Sequence, residues 1–194
     1  MTMAKKKPVS DRIVPVGITQ MACVEDPVVN RRKQAELLEQ AARQGAKILC
    51  TQEMFASLYF CQCEDHRFFK LAETIPGPST DLFGKIARKY KATIVASLFE
   101  KRASGLYHNT AAVIAPDGEV QGIYRKMHIP DDPLYYEKFY FTPGGYGFSG
   151  VGYTLRQDRG FGLLGSMVSR RGASNCPSRS RDPVLSHCDR LASC

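Results

Sequence analysis

The sequence predicts a layered α/β domain. Three observations carry that prediction. Strand-like, helical and strand-like segments alternate through the first fifty residues, and a later series of short β-rich segments with a tight-turn signal reads as a meander. The third is size: 194 residues at 43% hydrophobic content suffice for one real core, with no apolar run long enough for a membrane span.

The elements follow in order. Residues 1–11 are basic and polar, a flexible arm without the apolar stretch of a secretory signal, which predicts a cytoplasmic chain. Residues 13–22 (IVPVGITQMA) read as a buried strand. Residues 30–44 place Ala35, Leu37, Leu38, Ala41 and Ala42 amid charge at helical spacing, with Asn30 as a possible N-cap and Gly45 where a left-handed residue is wanted. A short strand resumes over 47–50. The turn Pro76-Gly77-Pro78-Ser79-Thr80 lets Ser79 or Thr80 cap a helix over 81–90, whose Leu82, Phe83, Ile86 and Ala87 share a face. Residues 93–99, 107–115 and 120–125 read as strands, and Pro116-Asp117-Gly118 is the hairpin signal between the last two.

At Gly144 the composition changes. Residues 144–194 hold no Lys, Glu or Ile, are crowded with Ser, Gly and Arg, and show no sustained period of 2 or 3.6. Of the net charge of +8, half lies in that segment and three more charges are Lys5, Lys6 and Lys7. A basic balance invites a nucleic-acid reading. Here the charge is confined to two terminal segments, and no RNP-like or helix-turn-helix pattern accompanies it, so neither nucleic acid nor membrane is expected as a partner. Seven cysteines at irregular spacing form no disulfide framework and suit a reducing compartment. Cys61-Gln62-Cys63 is the only close pair, and with His66 alone beside it no metal site is expected.

Two charged residues stand out. Glu53 ends the strand-like stretch Ile48-Leu49-Cys50-Thr51-Gln52, and its neighbours Met54 and Phe55 suggest a carboxylate drawn into a low-dielectric site, where a charge needs a partner. Lys126, in Tyr124-Arg125-Lys126-Met127-His128-Ile129-Pro130, is the natural one. The alternative is a surface ion pair at a solvated strand end.

With Cys61, Gln62, the run 68–80 (FFKLAETIPGPST) and the run 135–144 (YYEKFYFTPG), these residues resemble the carbon-nitrogen hydrolase (nitrilase) superfamily, and within it the amidases of N-carbamoylputrescine. The resemblance covers about residues 10–143. It implies an α-β-β-α sandwich, incomplete at the C-terminus, with residues 12–143 as the N-terminal part of the domain. It further implies hydrolysis of a small ureido or carbamoyl amine, no cofactor and no metal, and homo-oligomers among family members. A thiolate suits the weakly electrophilic carbonyl of such a substrate. Glu53 would be the general base, Lys126 the oxyanion partner, and Glu137 the residue that positions the lysine and substrate, against the alternative of a loop carboxylate paired with Lys138. His128 resembles a packed or backbone-bonded histidine of the family and is not expected to be a base. Asp131 and Asp132 would either favour a cationic amine or form a solvated turn before Pro133.

The family's nucleophile lies in a motif close to CWDQWFPE, which this chain lacks. If the codons of residues 144–194 are read one base later, each new codon taking the last two bases of one residue and the first of the next, Met167-Val168 must give TGG, Trp. Leu163-Leu164 permits Cys, Leu164-Gly165 Trp, Gly165-Ser166 Asp and Ser166-Met167 Gln; Val168-Ser169, Ser169-Arg170 and Arg170-Arg171 permit Phe, Pro and Glu. The missing motif emerges in order, and the rest of the segment accommodates a family-like run. Residues 144–194 therefore read as an out-of-frame tail, with an extra base near the codons of Gly144-Gly145. Cys176, Cys188 and Cys194 lie in that tail and none is nominated as nucleophile. The chain as written is expected to be inactive and poorly soluble, its sheet edges and apolar faces uncovered. Other readings are a carbamoyl-amino-acid amidase or nitrilase sharing the same triad, and a non-catalytic partner of full-length subunits.

Overall fold

An aspartate and a proline start the first helix one turn before the apolar pattern does. Asp26 accepts the Val28 amide at 2.7 Å, and Pro27 occupies the first helical position, where its missing N–H costs nothing. Helix α1 thus spans Pro27–Arg43, and Asn30 is buried in its first turn rather than capping it. The Asn30 amide instead donates to the Val24 and Ala56 carbonyls, tying the helix start to the segment after Glu53. Gly45 does adopt the left-handed backbone expected after the helix, at φ +97°.

The computed structural model describes residues 13–145. The arm 1–11 and all of the tail beyond residue 145, with its three cysteines, lie outside the described residues. The strands are β1 Val16–Ile18, β2 Ile48–Cys50, β3 Thr93–Ala103, β4 Leu106–Ile114 and β5 Val120–Arg125; α2 is Pro78–Tyr90 and α3 is Glu137–Tyr140. They form one sheet in the order β1-β2-β3-β4-β5, parallel across the first three and antiparallel across the last three. The layered α/β prediction holds. Only three residues of the expected strand 13–22 pair, and the expected β3 continues four residues further, to Ala103.

Helix α2 also starts early, after Gly77. Thr80 acts from inside the first turn, accepting the Gly77 amide at 2.8 Å, and Ser79 gives its amide and hydroxyl to the Glu73 carboxylate. A carboxylate at a helix N-terminus is favoured by the helix dipole.

Alternation along the strands separates two faces. Leu49, Ile94, Ala96, Leu98, Ala112 and Ile114 pack with Leu38, Phe83, Ile86 and Ala87 of the two long helices. Gly17 shares that face, and a Cβ there would lie 2.9 Å from the Ala41 Cβ, so the close helix–strand approach requires glycine. On the opposite face Phe99 joins Met54, Phe60, Cys61, Ile129, Tyr140 and Phe141 in a second, aromatic cluster. Val16 and Ile18 of the edge strand β1 are exposed. Among the described residues the structure is thus one helix layer on one sheet, with loops and α3 over one end of the other face. No helix among them is long and apolar enough to cross a membrane.

Candidate active site

The site is built over the sheet face opposite α1 and α2. Strand β2 stops at Cys50, and the chain turns so that Met54 and Phe55 enter the interior while Glu53 points outward. Met54 holds a left-handed backbone at φ +51°, unusual without glycine, and its amide donates to Ser97 Oγ on β3 at 3.2 Å. This corrects the expectation of a buried Glu53: its side chain is 61% exposed, and apolar neighbours in sequence point away from it.

Lys126 directly follows β5. Its backbone is gripped on both sides, the amide donating to the Asn109 carbonyl at 2.8 Å and the carbonyl accepting from Gly144 at 2.9 Å. Gly144 lies so close that a Cβ on it would stand 2.3 Å from the Arg125 carbonyl oxygen. The last residue of β5, Arg125, is locked to Glu100 through two guanidinium hydrogen bonds, and Thr110 donates to the same carboxylate at 2.6 Å.

The Lys126 ammonium donates to Glu137 Oε2 at 2.8 Å and lies 3.3 Å from Glu53 Oε1. Burial alone would lower its pKa, but the Glu137 hydrogen bond and the Glu53 charge outweigh burial and raise it, so the lysine is a firm cation. Glu137 is buried at the start of α3, and Tyr59 donates to its Oε1 at 3.1 Å. Burial and then the Glu137 charge push the Tyr59 phenol up, keeping it a neutral donor. Glu53, Lys126 and Glu137, distant in sequence, therefore form one contiguous charge group, and Glu137 pairs with Lys126 rather than with Lys138.

Cys61 is also close to the group. Burial, then Glu137, push its thiol up to about 12 against the opposing pull of Lys126, which makes it an inert interior thiol. Among the described residues no three His, Cys, Asp or Glu side chains gather as metal ligands.

The structure redistributes other expected residues. His128 is exposed, contrary to a packed or backbone-bonded role. The buried histidine with a backbone partner is His108, whose Nδ1 lies 2.7 Å from the Thr142 carbonyl and so carries the proton. Asp131 pairs loosely with Lys138 at 3.6 Å, and the Asp132 carbonyl accepts from Tyr135, a turn on the surface. Two residues of the group, Tyr59 and Asn109, escape sequence reasoning. Asn109 had a signal: His108-Asn109-Thr110 is a run of three polar residues inside an otherwise apolar strand.

The arrangement supplies an exposed carboxylate beside an ammonium that a buried carboxylate fixes in place. A model of the carbon-nitrogen hydrolase family matches residues 15–178, running beyond the described residues. The chain is 36% identical over 168 residues to the citrullinase of Francisella tularensis subsp. tularensis, covering 82% of this chain and 58% of that protein. It is 40% identical over 139 residues to the N-carbamoylputrescine amidase of Solanum lycopersicum, covering 71% and 46%. A crystal structure of a carbon-nitrogen hydrolase from Helicobacter pylori G27 superposes with a TM-score of 0.65 at 45% identity, over 69% of this chain and 46% of that one. This chain thus spans about half the length of the curated relatives it matches. With a family model matched over most of its length and a relative 36% identical over 82% of it, the chain belongs to the carbon-nitrogen hydrolase family.

Proposed function

We propose that the chain carries the acid–base half of an amidohydrolase that cleaves carbon–nitrogen bonds, with N-carbamoylputrescine as substrate. The observation that carries this reading is Lys126 held between an exposed and a buried carboxylate. A cysteine thiol would attack the ureido carbonyl while Glu53 takes its proton. The Lys126 ammonium would stabilise the oxyanion, and Glu137 would keep it aimed. Protonated Glu53 would return its proton to the leaving nitrogen, which departs as ammonia, and the regenerated carboxylate would then activate water against the carbamoyl-enzyme, freeing the thiol and a carbamate that falls to putrescine and carbon dioxide. The sequence resemblance and the amidase relatives support this substrate.

The nucleophile is the part that this chain does not spell. A one-base slip near Gly144-Gly145 accounts for its absence and for the change in composition there. Loss of a triad nucleophile lowers turnover by about 10⁶, so the chain as written is proposed to be inactive, and a frame-restored chain to be the active, cytoplasmic, homo-oligomeric enzyme. Resequencing the codons around Gly144-Gly145 tests the slip. Ammonia release by the frame-restored protein, with N-carbamoylputrescine and citrulline as rival substrates, tests the activity. The citrullinase relative is the reason for the second substrate, a carbamoyl amino acid; preference for it would replace the first reading, and turnover of neither would end both.

A further inference from the structure

Asn109 touches both charged residues that the proposed chemistry needs, by different atoms. Its carbonyl oxygen accepts the Lys126 amide at 2.8 Å, continuing the β4–β5 ladder past Arg125. Its side-chain Nδ2 donates to Glu53 Oε1 at 2.7 Å. The side chain is buried near the middle of β4, registered against Phe99, on the sheet face over which the Glu53 turn lies. A carboxylate has no proton to donate, so the amide orientation is settled: the NH₂ group faces Glu53.

The two oxygens of Glu53 are therefore unequal. Oε1 receives Asn109 at 2.7 Å and Lys126 at 3.3 Å, whereas no protein donor within hydrogen-bond range reaches Oε2 among the described residues. Because the glutamate side chain is largely exposed, packing does not fix it. The contacts to Oε1 do.

We infer that Asn109 is a positioning residue that anchors Glu53 through Oε1, so that Oε2 is the atom that takes the nucleophile's proton. This rests on Glu53 being the general base. The geometry links the base to the oxyanion donor through one rigid strand residue: displacing Asn109 moves both ends of the pair. An alanine would keep the ladder bond, which is made by the main chain, and would lose only the anchor on Glu53. The consequence is specific to proton transfer. Turnover should fall and the acid limb of the pH–rate profile should move, while substrate binding should change much less.

Two experiments separate this inference from the proposed activity. The chain has three asparagines, Asn30, Asn109 and Asn175, so an NMR spectrum of the full 194-residue chain carrying ¹⁵N-asparagine, kept dilute as its low solubility requires, shows three side-chain amide pairs, assignable by substitution. The Asn109 pair should shift as Glu53 ionises, and Glu53→Gln should abolish that shift. An Asn109 pair indifferent to Glu53→Gln overturns the contact whether or not the protein is an enzyme. In the frame-restored protein, Asn109→Ala should lower kcat by about 100-fold, within the range of general-base effects, with KM changed less than about threefold. Asn109→Asp, of the same shape but presenting an acceptor, should be at least as impaired. Asn109→Ala with the parent's kcat and pH profile, or Asn109→Asp active at the parent's level, overturns the positioning role. Inactivity of the frame-restored parent would instead fail the proposed function and leave the spectroscopic test standing.

Discussion

Arg125→Met removes the guanidinium that joins the end of β5 to Glu100 and leaves the strand otherwise intact. The Glu100 side chain is only 4% exposed and that of Arg125 16%. With arginine gone, a buried carboxylate keeps the Thr110 hydroxyl alone as donor. Removing one partner of a buried pair costs roughly 3–5 kcal/mol; partial access of water at the arginine end puts the expected loss near the bottom of that range, about 3 kcal/mol. At a urea dependence of about 2 kcal/mol per molar, the midpoint should fall by about 1.5 M. Pulse proteolysis across a urea series reads this at the low concentrations a poorly soluble chain requires. The sign with pH is also fixed. Burial would raise the Glu100 pKa, but Arg125 and Thr110 outweigh it and hold it below its ordinary 4.5. Its stabilising contribution is therefore complete above that value and lost as the pH falls through the depressed folded one. In Arg125→Met burial is opposed only by the Thr110 hydrogen bond and, more weakly, by His108, so the gap between variant and parent should narrow as the pH drops from neutral. The double change Glu100→Gln with Arg125→Met removes the stranded charge and should recover at least half the loss. A single variant within about 1 kcal/mol of the parent, or a double variant worse than the single, would refute the account, since a broken buried pair must cost more than an exposed one.

The remaining predictions concern the site and its supports. If Lys126 serves the oxyanion as proposed, Lys126→Ala in a frame-restored protein should lower kcat by about 10²–10³-fold, read as ammonia release. Gly144→Ala should destabilise by about 1–3 kcal/mol, because its Cβ would press on the Arg125 carbonyl, and the same urea midpoint reports it. Cys61 should resist thiol reagents at pH 8 until urea unfolds the chain. Because its folded pKa is raised from 9.0 to about 12, stability should fall as the pH rises through that interval. The chain as written should release no ammonia from either ureido substrate above background.

What the sequence discloses and what it conceals divide along physical lines. The apolar patterns at 81–90, 93–99, 107–115 and 120–125 locate α2 and β3 to β5 because periodic burial dictates them, and Pro116-Asp117-Gly118 marks its turn, with Gly118 at φ +87°. Both long helices begin earlier than the apolar pattern because proline at the first position, after Asp26 or Gly77, starts a helix without contributing to its buried stripe. The turn at His66–Leu71 and helix α3 are set by aromatic packing of Phe68, Phe69 and Tyr140, which no local period announces.

Glu53 shows why the site was legible in membership but not in geometry. Its apolar neighbours suggest burial, yet a chain turning with Met54 at positive φ sends consecutive side chains in different directions, so Met54 and Phe55 are buried and Glu53 is not. Low dielectric at this carboxylate is therefore not supplied by its own residue's burial. Its aim comes from Asn109, 56 positions away, whose signal is the polar run at 108–110 inside a core strand. A buried polar side chain must find a partner, so such a run announces groups to be satisfied on both faces: Thr110 on Glu100 toward the helices, and Asn109 on Glu53 toward the site. The partners are long-range, and only the register of β3, β4 and β5 reveals them. The three consecutive polar residues of β4 thus point to long-range partners, Glu100 and Glu53 among them, whereas the hydrophobicity beside Glu53 says nothing of its own burial.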